Sequence, residues 1–167
     1  VDSNIELLKK ENKAGEVAEA YVQKAELDIS NAASEEAIES YEAALDYVVS
    51  KPEEITIRNK IAEVYKEENQ LDKALFINLN LLEEAKKNND FETEIKQLQE
   101  VADIYFQSNR PEEAVRSLKE SYTLASQKGN TKEVKNSLKL LLEYYKSKGD
   151  DKESILLYDD FLTNFDR

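Results

Sequence analysis

Residues 101–115, with the sequence VADIYFQSNRPEEAV, decide the fold of this chain. The stretch reads as a helix, a short turn and a second helix. Ala102 and Tyr105 share one helical face before the turn, and Ala114 lies on the matching face after it. Pro111 stands where a helix begins, because proline has no backbone N–H to lose at that position. The stretch therefore predicts one helical hairpin.

The same pattern occurs twice more, as IAEVYKEENQLDKAL at 61–75 and as LLEYYKSKGDDKESI at 141–155. Its tyrosines, Tyr65, Tyr105 and Tyr145, follow one another at intervals of 40 residues. A fixed interval of this length indicates stacked hairpins, because one hairpin cannot bury its apolar face alone.

We predict a single helical-repeat domain over residues 16–167. Its four hairpins are expected at 16–50, 52–88, 90–128 and 130–167. The first is the weakest copy, since its Ala37 precedes Ala74 by 37 residues instead of 40. Residues 1–15 are expected to be the tail of a preceding helix or disordered.

Composition favours an all-α fold. Only three of the 167 residues are glycine and two are proline, while 40% are hydrophobic and 35% are charged. Abundant Glu, Lys, Leu and Ala without alternating β-branched runs favour long helices joined by short turns. The apolar fraction is sufficient for a continuous core between helices.

The net charge of −13 and the pI near 4.6 restrict the class of partner. An acidic surface repels phosphate backbones and anionic lipid, so we expect neither nucleic acid nor direct membrane binding. Basic proteins or peptides would be attracted. Solubility alone is the alternative explanation of the charge.

No residue pattern supports catalysis. The chain has no Cys and no His, which removes thiol chemistry, disulfides and the commonest metal ligand. Its paired acids stand in first turns of helices or beside turns, where they complement the helix dipole. We therefore expect no enzyme, no catalytic residue, no cofactor and no metal.

The hairpins resemble the tetratricopeptide repeat, in a longer form of about forty residues. The resemblance rests on three motifs: Ala62-x-x-Tyr65 with Ala74, Ala102-x-x-Tyr105 with Ala114, and Leu142-x-x-Tyr145 with Ser154. Small residues at these places let paired helices approach closely; Leu142 and Ser154 of the third motif depart from the usual Ala. The resemblance implies a right-handed superhelical solenoid whose first helices line a concave groove that binds a partner protein or peptide.

Projecting that geometry onto this chain gives a set of candidate groove residues. Acids two positions before the motif tyrosine form a file along the first helices. The full set is Glu26, Asn59, Lys60, Glu63, Lys66, Lys96, Gln99, Asp103, Phe106, Lys139, Glu143 and Lys146.

The acidic file predicts a partner segment that carries Lys or Arg, with an apolar side chain near Phe106. Some members of the family hold a terminal carboxylate with Asn and Lys, and the acids here argue against such a clamp. The alternative is a solvated face on which the acids pair with lysines three or four residues away. Lys60 with Glu63, Glu63 with Lys66, and Lys139 with Glu143 allow this.

The last helix is more apolar than a terminal repeat requires. Its apolar side chains predict a terminal interface, covered by another repeat, a further domain or a second copy of the chain in a homodimer. The residues are Ile155, Leu156, Leu162 and Phe165.

An alternative function is a sensory or regulatory region of a larger bacterial signalling protein, such as a histidine kinase or a transcriptional regulator. Long tetratricopeptide-like arrays resemble this chain in such proteins. Val1 is not a Met, and we expect both ends to be cut ends. We expect a soluble region, periplasmic or cytoplasmic, of a larger protein; the compartment itself does not follow from the sequence.

Overall fold

The computed structural model describes residues 1–165, and throughout these residues the chain is helical between short turns. The helices in this part are α1 Asp2–Lys10, α2 Ala14–Ser30, α3 Ser34–Leu45, α4 Lys51–Glu67, α5 Leu71–Asn88, α6 Phe91–Gln107, α7 Pro111–Gln127, α8 Thr131–Lys148 and α9 Asp151–Phe165. The predicted fold class, an all-α helical-repeat solenoid, is confirmed. The last two residues of the predicted 130–167 hairpin lie outside the described part.

The chain divides into two compact units. The first spans Val1–Ile77 and the second begins at Asn78, so the boundary falls within α5. The prediction of one domain from residue 16 onward stays a prediction.

In the first unit, α1 packs on α2. Ile5 and Leu8 of α1 are buried, as are Val17 and Ala20 of α2, and together they form a small core. A larger core joins α2, α3 and α4 through buried side chains that include Ala25, Ala37, Tyr41, Ala44, Ile57, Ile61 and Val64. The predicted second helix of this hairpin reached Val49, whereas α3 ends at Leu45.

In the second unit, the motif residues Ala102, Ala114 and Tyr145 are core residues, whereas Tyr105, Leu142 and Ser154 are partly buried. Ala102 and Ala114 are 1% and 0% exposed, which allows the close approach of α6 and α7 that the sequence predicts. Leu118 and Leu141 are fully buried in the same cluster. Packing of small against large side chains therefore explains the repeated motif.

Helix starts follow the capping residues. Ser50, Asp90 and Asn130 each accept a hydrogen bond from the backbone N–H three residues later, at 3.4, 3.1 and 3.3 Å. Pro111 is the first residue of α7, as predicted, while Pro52 is the second residue of α4 because Lys51 begins that helix.

Several helices end at a residue in the left-handed backbone conformation, and these residues recur every 20 positions. Their φ angles are 56° at Asn69, 54° at Asn89, 56° at Asn109, 68° at Gly129 and 70° at Gly149. Asn and Gly tolerate this conformation better than other residues.

The residue after each left-handed position returns a hydrogen bond to the helix. The backbone N–H groups of Gln70, Arg110 and Asp150 reach the carbonyls of the motif tyrosines at 2.8, 2.8 and 2.9 Å. The ring of each motif tyrosine thus packs against the core, while its carbonyl accepts the hydrogen bond that closes the helix end.

Ala32 occupies the same kind of position at φ 57° without the freedom of Gly or Asn. Replacing Ala32 with Gly should raise the free energy of unfolding by about 1 kcal/mol, because the strain on the Cβ is removed. Urea denaturation followed by far-UV circular dichroism measures it. Ala33→Gly is the matched control at φ −102° and should give no gain. Equal effects of the two changes would contradict strain at Ala32.

Candidate functional site

In the first unit, the predicted groove acids are exposed but already paired. Glu26 and Glu63 are solvent-exposed on α2 and α4. Lys60 Nζ lies 2.8 Å from Glu26 Oε1, and Lys66 Nζ lies 3.3 Å from Glu63 Oε2. The hydrogen bond with Glu26 raises the pKa of Lys60. Asn59, the remaining candidate here, is partly buried on α4.

In the second unit, the predicted residues of α6 also have partners within the chain. Lys96 Nζ contacts Glu92 Oε1 at 2.8 Å, and Gln107 Nε2 donates to Asp103 Oδ2 at 2.9 Å. Phe106 packs against Tyr144, with ring centroids 5.6 Å apart.

Gln99 belongs to a polar network between α6, α7 and α8 that the sequence did not predict. Its Nε2 donates to Glu133 Oε2 at 3.2 Å and to Ser137 Oγ at 3.0 Å. Ser137 and Ser121 are fully buried, with their hydroxyl oxygens 2.9 Å apart, and Glu133 is 6% exposed. Buried polar groups need partners, so this network fixes the register of three helices. The signal available in the sequence was Ser121, a polar residue on the same face of α7 as the apolar Leu118 and Tyr122.

On α8 the predicted groove is locally basic. An apolar cavity of about 350 Å³ is lined by Leu138, Leu142 and Phe161. The charged residues of the same cavity are Lys135, Lys139, Glu143 and Lys146. Three cations against one acid do not favour a basic segment at this place.

The short-range pairing that forms the alternative interpretation is present at two of its three predicted pairs. Lys66 pairs with Glu63, and Lys139 lies 3.9 Å from Glu143. Lys60 pairs with Glu26 of the neighbouring helix instead of Glu63. Exposed ion pairs of this type contribute about 0–1 kcal/mol, so a partner could displace them. Binding at these residues stays a prediction.

The last helix presents an apolar surface. Ile155, Leu156 and Leu162 are 60%, 54% and 36% exposed, and no described residue of α9 is buried. Phe165 is partly buried and stacks on Phe161 at 5.7 Å between ring centroids. A homodimer through this surface stays a prediction.

A second cavity, which the sequence did not predict, lies between α3, α4 and α5 in the first unit. It has a volume of about 460 Å³. Its apolar lining includes Leu45, Ile61 and Tyr65, and Phe76 on its wall is 67% exposed. Tyr65, the motif tyrosine of this unit, is only partly buried and faces this opening. An apolar concavity bordered by charges is the usual form of a binding site.

Residues 1–165 contain no group of three or more Asp or Glu residues placed to hold a metal ion. Within the same residues, no helix is long and apolar enough to cross a membrane.

Paired helices, small residues at their contacts and tyrosines at the helix ends define a helical-repeat protein. Residues 96–128 match the tetratricopeptide repeat family, and this segment covers α6 from Lys96 together with α7. Comparison with curated protein sequences gave no significant match.

Solved structures share the fold of this chain over most of its length. The N-terminal domain of stress-induced protein-1 (STI-1) from C. elegans is 20% identical, with 75% of this chain and 97% of that chain covered and a TM-score of 0.56. MamA is 14% identical, with 98% and 87% covered and a TM-score of 0.59. The TPR2AB domain of yeast Sti1, in complex with pHSP90, is 16% identical, with 90% and 65% covered and a TM-score of 0.56.

Identities this low establish the fold alone. Together with the match at residues 96–128, they support the tetratricopeptide-like fold that the resemblance in the sequence predicted.

Proposed function

We propose that the chain is a non-enzymatic scaffold that binds a partner protein or peptide. The observation that carries this proposal is the tetratricopeptide repeat at 96–128 within an array of helix pairs. The similar TPR2AB domain of yeast Sti1 is described in complex with pHSP90, which supports a binding role for the fold. Repeat arrays use extended surfaces of this kind for recognition.

The finer proposal concerns the charge of the partner. The net charge of −13 and the exposed acids Glu26, Glu63 and Asp103 favour a segment that carries Lys or Arg. The lysines of α8 oppose it locally, so α2 and α4 of the first unit are the better place for such a segment. No observation favours the signalling-region alternative over this one.

Charge reversal of these acids tests the proposal. Peptides are selected on the wild-type chain from a random displayed library, and the affinities of the enriched sequences are measured by fluorescence polarisation. We expect enriched peptides to be basic. Glu26→Lys with Glu63→Lys should weaken their binding about tenfold or more, because attraction turns into repulsion.

The matched control reverses two exposed acids of second helices, Glu39→Lys with Glu112→Lys, and changes the net charge by the same amount. The control should have a small effect that disappears as salt is added. A library that enriches no peptide at all would contradict the binding function. Enriched peptides whose affinity at low salt is the same for wild type and for the variant with Glu26→Lys and Glu63→Lys would contradict only the proposal of a basic partner segment.

A further inference from the structure

The cavity between α3, α4 and α5 differs from the equivalent place between α7, α8 and α9. Counting from the small motif residue, Glu42 and Lys73 of the first unit correspond to Lys119 and Glu153 of the second. In the second unit these two residues bridge α7 and α9, with Lys119 Nζ 2.9 Å from Glu153 Oε1. The same Lys119 Nζ lies 5.6 Å from the centre of the ring of the motif tyrosine Tyr145.

A second bridge in the second unit is also missing from the first. Tyr122 Oη donates to Asp160 Oδ2 at 2.6 Å and spans α7 and α9. The first unit has Leu45 at the position of Tyr122, and a leucine can neither reach as far nor donate a hydrogen bond. Neither bridge has a counterpart across the cavity of the first unit.

The charged side chains at the opening differ in whether they have a partner within the chain. Arg58 Nη1 lies 3.3 Å from Glu54 Oε1, which offsets its charge, whereas Lys73 Nζ lies 5.0 Å from the centre of the neutral Tyr65 ring and keeps its positive charge. Among residues 1–165, the side chains of Glu42 and Asp72 have neither an ion pair nor a hydrogen bond. Two acids, Glu42 and Asp72, and one cation, Lys73, therefore remain for a ligand at this cavity, which leaves an excess of one negative charge.

Phe76 supplies an apolar contact next to these acids. A phenylalanine that is 67% exposed buries little of its own apolar area in the folded chain. A partner side chain in the cavity would cover the exposed ring and contact the apolar floor at Ile61. Burial of aromatic area of this kind dominates many protein interfaces.

We propose that this cavity binds an apolar side chain of a partner segment, with a neighbouring Lys or Arg of the same segment paired to Glu42 and Asp72. The site lies between α3, α4 and α5 and uses none of the groove residues predicted from the sequence. It rests on the proposed function, in that the occupant is a protein or peptide, and it adds the place and chemistry of one contact.

The probe for this proposal is a fluorescein-labelled amphipathic helical peptide composed of Leu and Lys, with a Leu and Glu peptide as the acidic control. Fluorescence polarisation on the whole chain should show binding of the basic probe and little of the acidic one. Phe76→Ala should weaken the basic probe about tenfold or more, because the exposed ring is a main apolar contact. This truncation of an exposed side chain should leave the unfolding curve nearly unchanged.

A charge-neutral exchange gives the sharper test. Glu42→Lys with Lys73→Glu recreates the arrangement of Lys119 and Glu153, which should bridge α3 to α5 and close the cavity. Binding of the basic probe should fall about tenfold or more, although the net charge of the chain is unchanged. The matched control is Glu83→Lys with Lys87→Glu, an exposed pair on α5 away from the cavity, and it should bind like wild type.

Three results would overturn the proposal. The basic probe fails to bind the wild-type chain, or it binds equally well to the Phe76 and exchange variants. Alternatively, light scattering shows a dimer that Phe76→Ala dissociates, which would make a second copy of the chain the occupant. In each case peptides enriched from the displayed library would still support the broader binding function, so the two failures are distinguishable.

Discussion

Replacing Leu141 with alanine is expected to lower the free energy of unfolding by about 3–5 kcal/mol. Leu141 is 0% exposed and lies on α8 in the cluster that also contains Leu118, Ala114 and Val134. The loss combines the transfer free energy of the removed carbons with the cost of the cavity that they leave. Urea denaturation followed by circular dichroism measures it as a shift in midpoint at constant slope.

Leu156→Ala is the matched control, since the same side chain is removed from the next helix where it is 54% exposed. We expect its effect to stay within about 0.5 kcal/mol. A loss at Leu156 as large as that at Leu141 would show that α9 is covered in solution, for example in a dimer. Little loss at Leu141 would contradict the core described for the second unit.

Replacing Tyr122 with phenylalanine is expected to cost about 1–2 kcal/mol at neutral pH, because the hydrogen bond to the Asp160 carboxylate is lost. Tyr122 is 8% exposed, and its hydroxyl lies 2.6 Å from Asp160 Oδ2. Thermal and urea unfolding both measure the difference. Tyr158→Phe is the matched control, because that ring is 51% exposed, and it should have little effect.

The pH dependence of this difference has a defined sign. Burial, and then the bond to Asp160, raise the pKa of Tyr122 above the usual value for tyrosine. A group whose pKa is raised on folding stabilises the folded chain below its unfolded pKa, which is about 10 for tyrosine. The advantage of wild type over Tyr122→Phe should therefore shrink as the pH rises above about 10. An advantage that grows with pH would contradict the assignment.

Local signals in the sequence were sufficient for the hairpins. The pairs α6 with α7 and α8 with α9 lie within a few residues of their predicted ranges, because Pro111, Asn130 and Gly149 mark helix ends directly. The left-handed residues at Asn69, Asn89 and Asn109 repeat every 20 residues and would have sharpened the remaining ends. The 20-residue spacing of these asparagines is visible in the sequence, but an asparagine marks a helix end less strongly than a glycine does.

The site was less accessible to prediction because its interactions join different helices. Glu26 lies 34 residues from its partner Lys60, so no helical spacing within one element identifies the pair. The cavity beside Phe76 lies where the first unit has no ion pair equivalent to the one between Lys119 and Glu153 in the second unit. An absent contact is evident only when equivalent places in a structure are compared.

The most direct test of the proposed binding site in the first unit is an NMR titration of the isotope-labelled chain with the basic Leu and Lys probe peptide. We predict that the largest changes in amide chemical shift occur at residues around the cavity, such as Leu45, Ile61 and Phe76, and that they saturate with the peptide. Shifts that stay unchanged at excess peptide, or that occur only on α6 to α9, would contradict a binding site for a basic apolar segment in the first unit.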